Sequence, residues 1–82
     1  MANKTWTFEL DGKRRVVEIH HKSITGRCTV LLDGKIIEQS PPQLYDTSQE
    51  HRFKIDEHDC IIRVKSRYII FEYDLFLDGK LI

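Results

Sequence analysis

The residues of this chain that are suited to chemistry are four histidines and two cysteines. His20 and His21 are adjacent, so on a strand their side chains point to opposite faces. The run His58-Asp59-Cys60 falls at a predicted turn. A zinc site needs four ligands that converge with tetrahedral geometry, and neither Cys-x-x-Cys nor His-x-x-x-His spacing occurs. The sequence therefore predicts no metal site and no cofactor.

Nucleophilic or acid–base catalysis is not indicated either. Cys60 follows Asp59 directly, and strand alternation directs neighbouring side chains to opposite faces. A thiol buried among apolar groups has a raised pKa and is inert. The acidic pair Asp56-Glu57 is typical of a solvated turn, and no glycine-rich phosphate loop is present. We expect no catalytic residues and no enzyme.

The two cysteines also bear on the compartment. Cys28 and Cys60 would allow one disulfide bridge, but the first residues have no apolar segment typical of a secretion signal. Free thiols in a reducing, cytoplasmic compartment are the preferred interpretation. No apolar run approaches the roughly 20 residues needed to span a bilayer, so a membrane is not an expected partner.

A basic run, Lys13-Arg14-Arg15, raises nucleic-acid binding as an alternative function. The chain has 13 basic and 13 acidic residues, so its overall charge does not favour a polyanion. Sheet proteins that read nucleic acid expose aromatic side chains among such charges. Here the aromatic residues Trp6, Phe8, Phe53, Phe71 and Tyr73 fall on the predicted core faces, so a solvated strand is preferred and nucleic acid is an unlikely partner.

The sequence Leu-Asp-Gly-Lys occurs three times, and it marks turns between the predicted strands that carry these residues. The copies begin at Leu10, Leu32 and Leu77. Asp-Gly between two strand-like runs is a strong signal for a two-residue hairpin loop, because both residues tolerate positive φ. Three such turns in 82 residues predict an antiparallel all-β protein.

Alternation of apolar and polar residues defines the predicted strands. Their ranges are 5–10, 13–21, 27–32, 35–39, 51–55, 60–65 and 68–77, followed by a very short last strand. The stretches 23–26 and 56–59 are predicted turns or loops, and 40–49 is a predicted crossover that contains Pro41-Pro42. Leu44 and Tyr45 are candidates to anchor this crossover to the core. No segment has a helical period.

A shift of 45 positions places residues 6–37 on residues 51–82 without a gap. The fixed offset indicates an internal repeat, with four strands in each half. A single four-stranded sheet leaves one apolar face uncovered, so we expect two sheets to cover one another. The prediction is one domain over residues 1–82, an eight-stranded antiparallel β-sandwich with an internal two-fold repeat. A small closed β-barrel has the same strand pattern and is the alternative.

The strand order and several motifs resemble one β-sandwich domain of the Fas apoptotic inhibitory molecule family. The resemblance rests on residues 6–12, His21, Gly26-Arg27, residues 30–35, residues 53–55 and 61–64, and above all residues 71–80. It spans nearly the whole chain in the family's order, although the crossover segment 41–45 differs from the family's aromatic segment. The resemblance implies a non-catalytic cytosolic protein that contacts other proteins. Animal members are linked to protection from death-receptor signalling and to suppression of aggregation under stress.

Some apolar residues occupy strand positions that should face away from the core. In a two-residue hairpin, Leu31 should lie opposite Ile36, and Phe76 opposite Leu81. The predicted protein-binding surface comprises Val16, Leu31, Ile36, Ile61, Ile70, Phe76 and Leu81. Contiguous exposed apolar patches mark interaction sites. The sequence thus predicts other proteins, of unknown identity, as partners, with self-association as a second use of the same surface.

Overall fold

The computed structural model describes residues 2–22, 27–39, 49–67 and 70–82, and every regular element in these ranges is a β-strand. The strands are β1 (Ala2–Leu10), β2 (Lys13–His21), β3 (Cys28–Leu32), β4 (Lys35–Gln39), β5 (Gln49–Ile55), β6 (His58–Arg67), β7 (Ile70–Leu77) and β8 (Lys80–Leu81). All pairs are antiparallel. The all-β antiparallel prediction is confirmed.

The strands form two four-stranded sheets, each with its strands in chain order. The first sheet, β1-β2-β3-β4, belongs to a compact unit that spans Met1–Leu44, and the second sheet, β5-β6-β7-β8, belongs to the unit Tyr45–Ile82. Two antiparallel sheets are consistent with the predicted β-sandwich. Within the described ranges no strand pairing joins the two sheets, so the alternative of one closed barrel is not formed.

Three of the hairpin turns have positive φ at both central residues. The φ angles are 52° and 80° at Asp11-Gly12, 51° and 85° at Asp33-Gly34, and 49° and 82° at Asp78-Gly79. Positive φ at both positions defines a type I′ turn, whose twist matches that of the flanking strands. The predicted role of Asp-Gly is therefore confirmed at all three copies.

The fourth hairpin turn, Asp56-Glu57, has the same length but a different backbone. Ile55 pairs directly with His58 across it, and of the two turn residues only Asp56 has a positive φ, at 54°. A residue with a Cβ atom disfavours the left-handed region that glycine accepts. The predicted turn span 56–59 was too long, since β6 already begins at His58.

Each sheet has one buried face, formed by side chains that alternate along its strands. In the first sheet the buried apolar residues are Trp6, Leu10, Val17, Ile19, Cys28 and Val30, and in the second sheet they are Ile55, Cys60, Ile62, Val64, Tyr73 and Leu75. Full burial of one such aliphatic side chain contributes about 1.5–3 kcal/mol to the free energy of folding. The alternation of apolar residues therefore determines which face of each sheet is buried, and burial of these residues drives folding.

The central strand pairs of the two sheets differ in register by two residues. Val17 pairs with Leu32 in the first sheet, whereas Cys60 pairs with Leu77 in the second. An identical register would place Ile62, the repeat counterpart of Val17, opposite Leu77. Because side chains alternate with a period of two, a shift of two residues keeps every side chain on its face. The buried faces are preserved, but cross-strand neighbours change.

Some strand boundaries differ from the prediction. β1 begins at Ala2 instead of residue 5, and β5 begins at Gln49, which the sequence assigned to the crossover. β6 extends to Arg67, two residues beyond its predicted end. Backbone pairing continues into the polar ends of these strands, where no alternation of apolar residues indicates a strand. The predicted loop 23–26, the crossover residues 40–48 with Leu44 and Tyr45, and residues 68–69 lie outside the described residues.

Candidate protein-interaction surface

Three apolar side chains form a continuous line across the face of the second sheet that is opposite its buried face. Ile61 on β6 lies directly opposite Phe76 on β7, and Phe76 lies directly opposite Leu81 on β8. Directly opposed residues have Cβ atoms about 4.5–5.5 Å apart, which is within contact range. Ile61 and Phe76 are half-buried, and Leu81 is 63% exposed. We call these three residues the apolar row.

The register of the second sheet creates this row. With the register of the first sheet, Phe76 would lie opposite Arg63 instead of Ile61. In the observed register the Arg63 guanidinium carbon lies 5.2 Å from the centroid of the Phe76 ring, a favourable cation–π distance. The same side chain places Nε 3.4 Å from Oε2 of Glu50. Arginine thus borders the apolar row without interrupting it.

The equivalent face of the first sheet has a shorter apolar group. Leu31 pairs directly with Ile36, as the hairpin geometry predicted, and Ile36 is 62% exposed. On its other side Leu31 lies opposite Glu18, so a carboxylate ends the apolar group there. Val16 is one row further along and is half-buried beside the Asp33 turn.

The seven residues predicted as one surface therefore separate into smaller groups. Ile61, Phe76 and Leu81 are brought together, and Leu31 and Ile36 form a second pair on the other sheet. Val16 joins neither group. The side chain of Ile70 lies outside the described residues. A role of these residues in binding remains a prediction.

The aspartates of the second and third Leu-Asp-Gly-Lys copies have a function that the sequence reasoning missed. In the first sheet, Oδ1 of Asp33 accepts a hydrogen bond from the backbone N–H of Val16 at 2.9 Å. Its Oδ2 forms a 2.9 Å ion pair with Nε of Arg15. The backbone N–H of Asp33 in turn donates to the carbonyl of Val16 at 2.8 Å. The turn is thereby fastened to the neighbouring strand β2.

Asp78 repeats this arrangement in the second sheet with a different cationic partner. Its Oδ1 accepts from the backbone N–H of Asp59 at 3.0 Å, and its Oδ2 lies 2.6 Å from Nδ1 of His58. The hydrogen bond from His58, followed by that from the Asp59 N–H, lowers the pKa of Asp78 below its ordinary value. This aspartate contact fastens the β7–β8 turn to the neighbouring strand β6.

The cysteines and histidines are placed as structural groups. Cys28 and Cys60 are both buried, and no disulfide joins them. Burial is the main cause of the raised pKa of the Cys60 thiol, so the thiolate is disfavoured. His21 is buried, whereas its neighbour His20 is half-buried on the opposite face. Among the described residues no group of three or more histidine, cysteine or acidic side chains is arranged to hold a metal ion.

The family described as Fas apoptotic inhibitory molecule (FAIM1) matches residues 2–82, essentially the entire chain. The chain belongs to this family. The resemblance inferred from the sequence motifs is therefore confirmed. A search of curated proteins found no match to this FAIM1-family chain.

The family assignment covers both sheets, including the apolar row and the two aspartate contacts, because all of these lie within the matched residues. In the described part of this FAIM1-family chain, no helix is long and apolar enough to cross a membrane. The family suggests a role similar to that of an apoptosis inhibitor, and the surface described above is where contacts with other proteins can be tested.

Proposed function

We propose that this FAIM1-family chain is a non-catalytic protein-binding module that holds exposed apolar segments of other proteins and so suppresses their aggregation. The observation that carries the proposal is the apolar row, in which Ile61, Phe76 and Leu81 lie on three adjacent strands. Leu81 is 63% exposed. Contiguous apolar surface of this kind is typical of interaction sites.

The composition of the surface supports this function. Energetically dominant interface positions are enriched in aromatic residues and arginine, and they are surrounded by contacts that exclude water. Phe76 supplies the aromatic ring, and Arg63 lies 5.2 Å from its centroid. A small apolar row with a charged border favours modest, reversible affinity over permanent assembly.

The chemistry of the titratable groups agrees with a non-catalytic role in a reducing compartment. The Cys60 thiol is buried with a raised pKa, and His58 is engaged by Asp78. Two buried cysteines that form no disulfide suit the cytosol, where thiols stay reduced. We therefore place the proposed activity in the cytoplasm.

The test is a client-protection assay with the full chain. A heat-labile client protein is warmed with the wild type or with Leu81→Asp, and light scattering follows its aggregation. Leu81 is exposed, so its substitution should preserve the fold, and a charge within the row should abolish protection. Thr5→Asp adds the same charge at an exposed residue of the first sheet and should protect as the wild type does.

Two outcomes would count against the proposal. One is equal protection by wild type and Leu81→Asp, and the other is equal loss of protection in Thr5→Asp, which would indicate a general effect of charge. Solution mass of the same variants separates client binding from self-association. If Leu81→Asp converts an oligomer to a monomer while client protection is unchanged, the row serves self-association instead.

A further inference from the structure

We propose that the outer edge of β1 pairs in antiparallel orientation with the same edge of a second copy of the chain. The inference concerns the first sheet and goes beyond the proposed binding of clients by the apolar row of the second sheet. The first sheet has the order β1-β2-β3-β4, so among the described residues β1 has a paired strand on one side only. Such an edge offers backbone N–H and C=O groups to another strand.

The strand register shows which backbone groups of β1 face outward. The backbone N–H of Asp33 donates to the carbonyl of Val16 at 2.8 Å, so the backbone groups of Val16 point toward β3. Because these groups alternate in direction along a strand, those of Val17 point toward β1, where its partner is Trp6. Trp6 therefore bonds to β2, and its two neighbours on β1 direct their backbone groups outward. The outward-facing residues are Asn3, Thr5, Thr7 and Glu9.

Of the edge strands in the two sheets, β1 has the least protection against pairing. Natural sheets block their edges with short strands, bulges and charged side chains. β8 has only two residues, and the pairing of β4 with β3 has a register shift. The outward-facing residues of β5 are exposed and charged, namely Glu50, Arg52 and Lys54. By contrast, β1 pairs with β2 over nine residues without a register shift, and threonines occupy the outward-facing positions at its centre.

The sequence of β1 is complementary to itself, which selects a second copy as the occupant of this edge. Antiparallel pairing centred on Trp6 is the register in which all nine residues of the strand have a partner. It places Thr5 of each copy opposite Thr7 of the other, and threonine pairs across strands are favourable. Asn3 lies opposite Glu9, so an amide donor meets a carboxylate acceptor. Each of these pairs also exchanges backbone hydrogen bonds in both directions.

The other face of β1 is compatible with the same register. In the proposed pair, Trp6 lies on the two-fold axis opposite Trp6 of the second copy, and aromatic pairs across strands are favourable. Lys4 lies opposite the half-buried Phe8 of the second copy. The Nζ atom of Lys4 is already 5.8 Å from the centroid of the Trp6 ring, so its ammonium group remains beside aromatic rings. This register places no two like charges directly opposite each other.

The first experiment measures the solution mass and the amide hydrogen exchange of the full chain as a function of its concentration. We expect the mass to double between micromolar and millimolar concentrations. Exchange of the Thr5 and Thr7 amides should slow as the dimer forms, because their N–H groups become hydrogen-bonded. Exchange of the outward-facing amides of Arg52 and Lys54 on β5 should not depend on concentration. A chain that stays monomeric at millimolar concentration, or a dimer in which the Thr5 and Thr7 amides exchange as in the monomer, overturns the proposal.

Matched proline variants locate the interface. Thr7→Pro removes an outward-facing N–H group that β2 does not use, and an edge strand tolerates proline at such a position. The dissociation constant of the dimer should rise roughly ten- to a hundredfold, because one donor is lost from each copy. Arg52→Pro is the control, since Arg52 is the repeat counterpart of Thr7 and also faces outward. It should dimerise as the wild type does; equal weakening by both prolines, or none by Thr7→Pro, overturns the proposal.

Paired charges test the register without proline. Thr5→Lys/Thr7→Lys places lysine opposite lysine in the proposed pair, whereas Thr5→Lys/Thr7→Asp places lysine opposite aspartate. All of these substitutions lie at exposed positions, so the fold should be preserved. We expect the lysine–aspartate variant to associate roughly tenfold more tightly than the lysine–lysine variant. Equal association of the two variants overturns pairing in the register centred on Trp6.

The same variants separate this inference from the proposed function. Leu81→Asp, on the second sheet, should leave the dimer unchanged, and Thr7→Pro should protect a client as the wild type does. Dissociation of the dimer by Leu81→Asp would assign self-association to the apolar row and overturn the pairing of β1. If the Thr5 and Thr7 amides are protected only when a client is added, the edge binds client strands, and the second copy is overturned as its occupant.

Discussion

Substitution of alanine for the glycines of the Asp-Gly turns tests the backbone geometry that pairs Leu31 with Ile36 and Phe76 with Leu81. Gly34 and Gly79 have φ angles of 85° and 82°, and a Cβ atom added at either position would meet nothing within 4 Å. The cost of alanine is therefore local to the backbone. The left-handed conformation costs a residue with Cβ about 1–2 kcal/mol.

This cost is partly offset because alanine restricts the unfolded chain, a gain of about 0.4–1 kcal/mol. We therefore expect Gly34→Ala to lower the free energy of unfolding by about 1 kcal/mol, or the Tm by about 4–8 °C for a domain of this size. Circular dichroism of thermal unfolding measures the change. Gly34→Asn is the matched control, since asparagine visits the left-handed region at lower cost.

Gly79→Ala should act more locally, because β8 has only two residues. The backbone N–H of Ile82 donates to the carbonyl of Leu75 at 2.9 Å, and hydrogen exchange of this amide reports opening of the hairpin. A loss of about 1 kcal/mol corresponds to roughly fivefold faster exchange. If alanine at both positions matches the wild type, or if asparagine costs as much as alanine, positive φ does not control these turns and the reasoning fails.

Three further predictions concern titration, packing and thiol chemistry. The pKa of Asp78 is lowered in the folded state, so the wild type should be more stable than Asp78→Asn at neutral pH. This extra stability should shrink as the pH falls below 3.8, the ordinary pKa of an aspartate. Unfolding curves at several pH values measure it. Ile62→Ala, at a fully buried position, should cost about 2–5 kcal/mol in chemical denaturation, whereas Ile36→Ala at an exposed one should change stability by less than about 0.5 kcal/mol. Cys60 should react with a thiol reagent only after unfolding, since the thiol is buried with a raised pKa; rapid reaction of the native protein would contradict its placement.

The strands, faces and turns could be predicted because each follows from a local rule. Alternation with a period of two assigns Val17 and Ile62 to buried faces without knowledge of their partners. Asp-Gly fixes a two-residue loop, and the loop length fixes the register of the flanking hairpin. The pairing of Leu31 with Ile36 follows from that rule alone, and the structure has it.

The register between β6 and β7 could not be predicted by the same reasoning. A slip of two residues leaves the hydrophobic pattern unchanged, so sequence alternation cannot detect it. The difference in register goes with the length of the connection between the two strands. In the first sheet the last strand pair is His21 with Cys28, and six residue numbers (22–27) separate them. In the second sheet the last pair is Arg67 with Ile70, separated by two.

This register difference accounts for both features that distinguish the second sheet. It moves Ile61 opposite Phe76, which completes the apolar row. It also places His58 beside Asp78, where the first sheet has Arg15 beside Asp33. A duplicated unit that kept one register would have two similar faces. A slip of two residues preserves the buried face, on which stability depends, but gives each side chain new cross-strand neighbours. The exposed rows of the two sheets therefore differ, while each sheet keeps an apolar buried face.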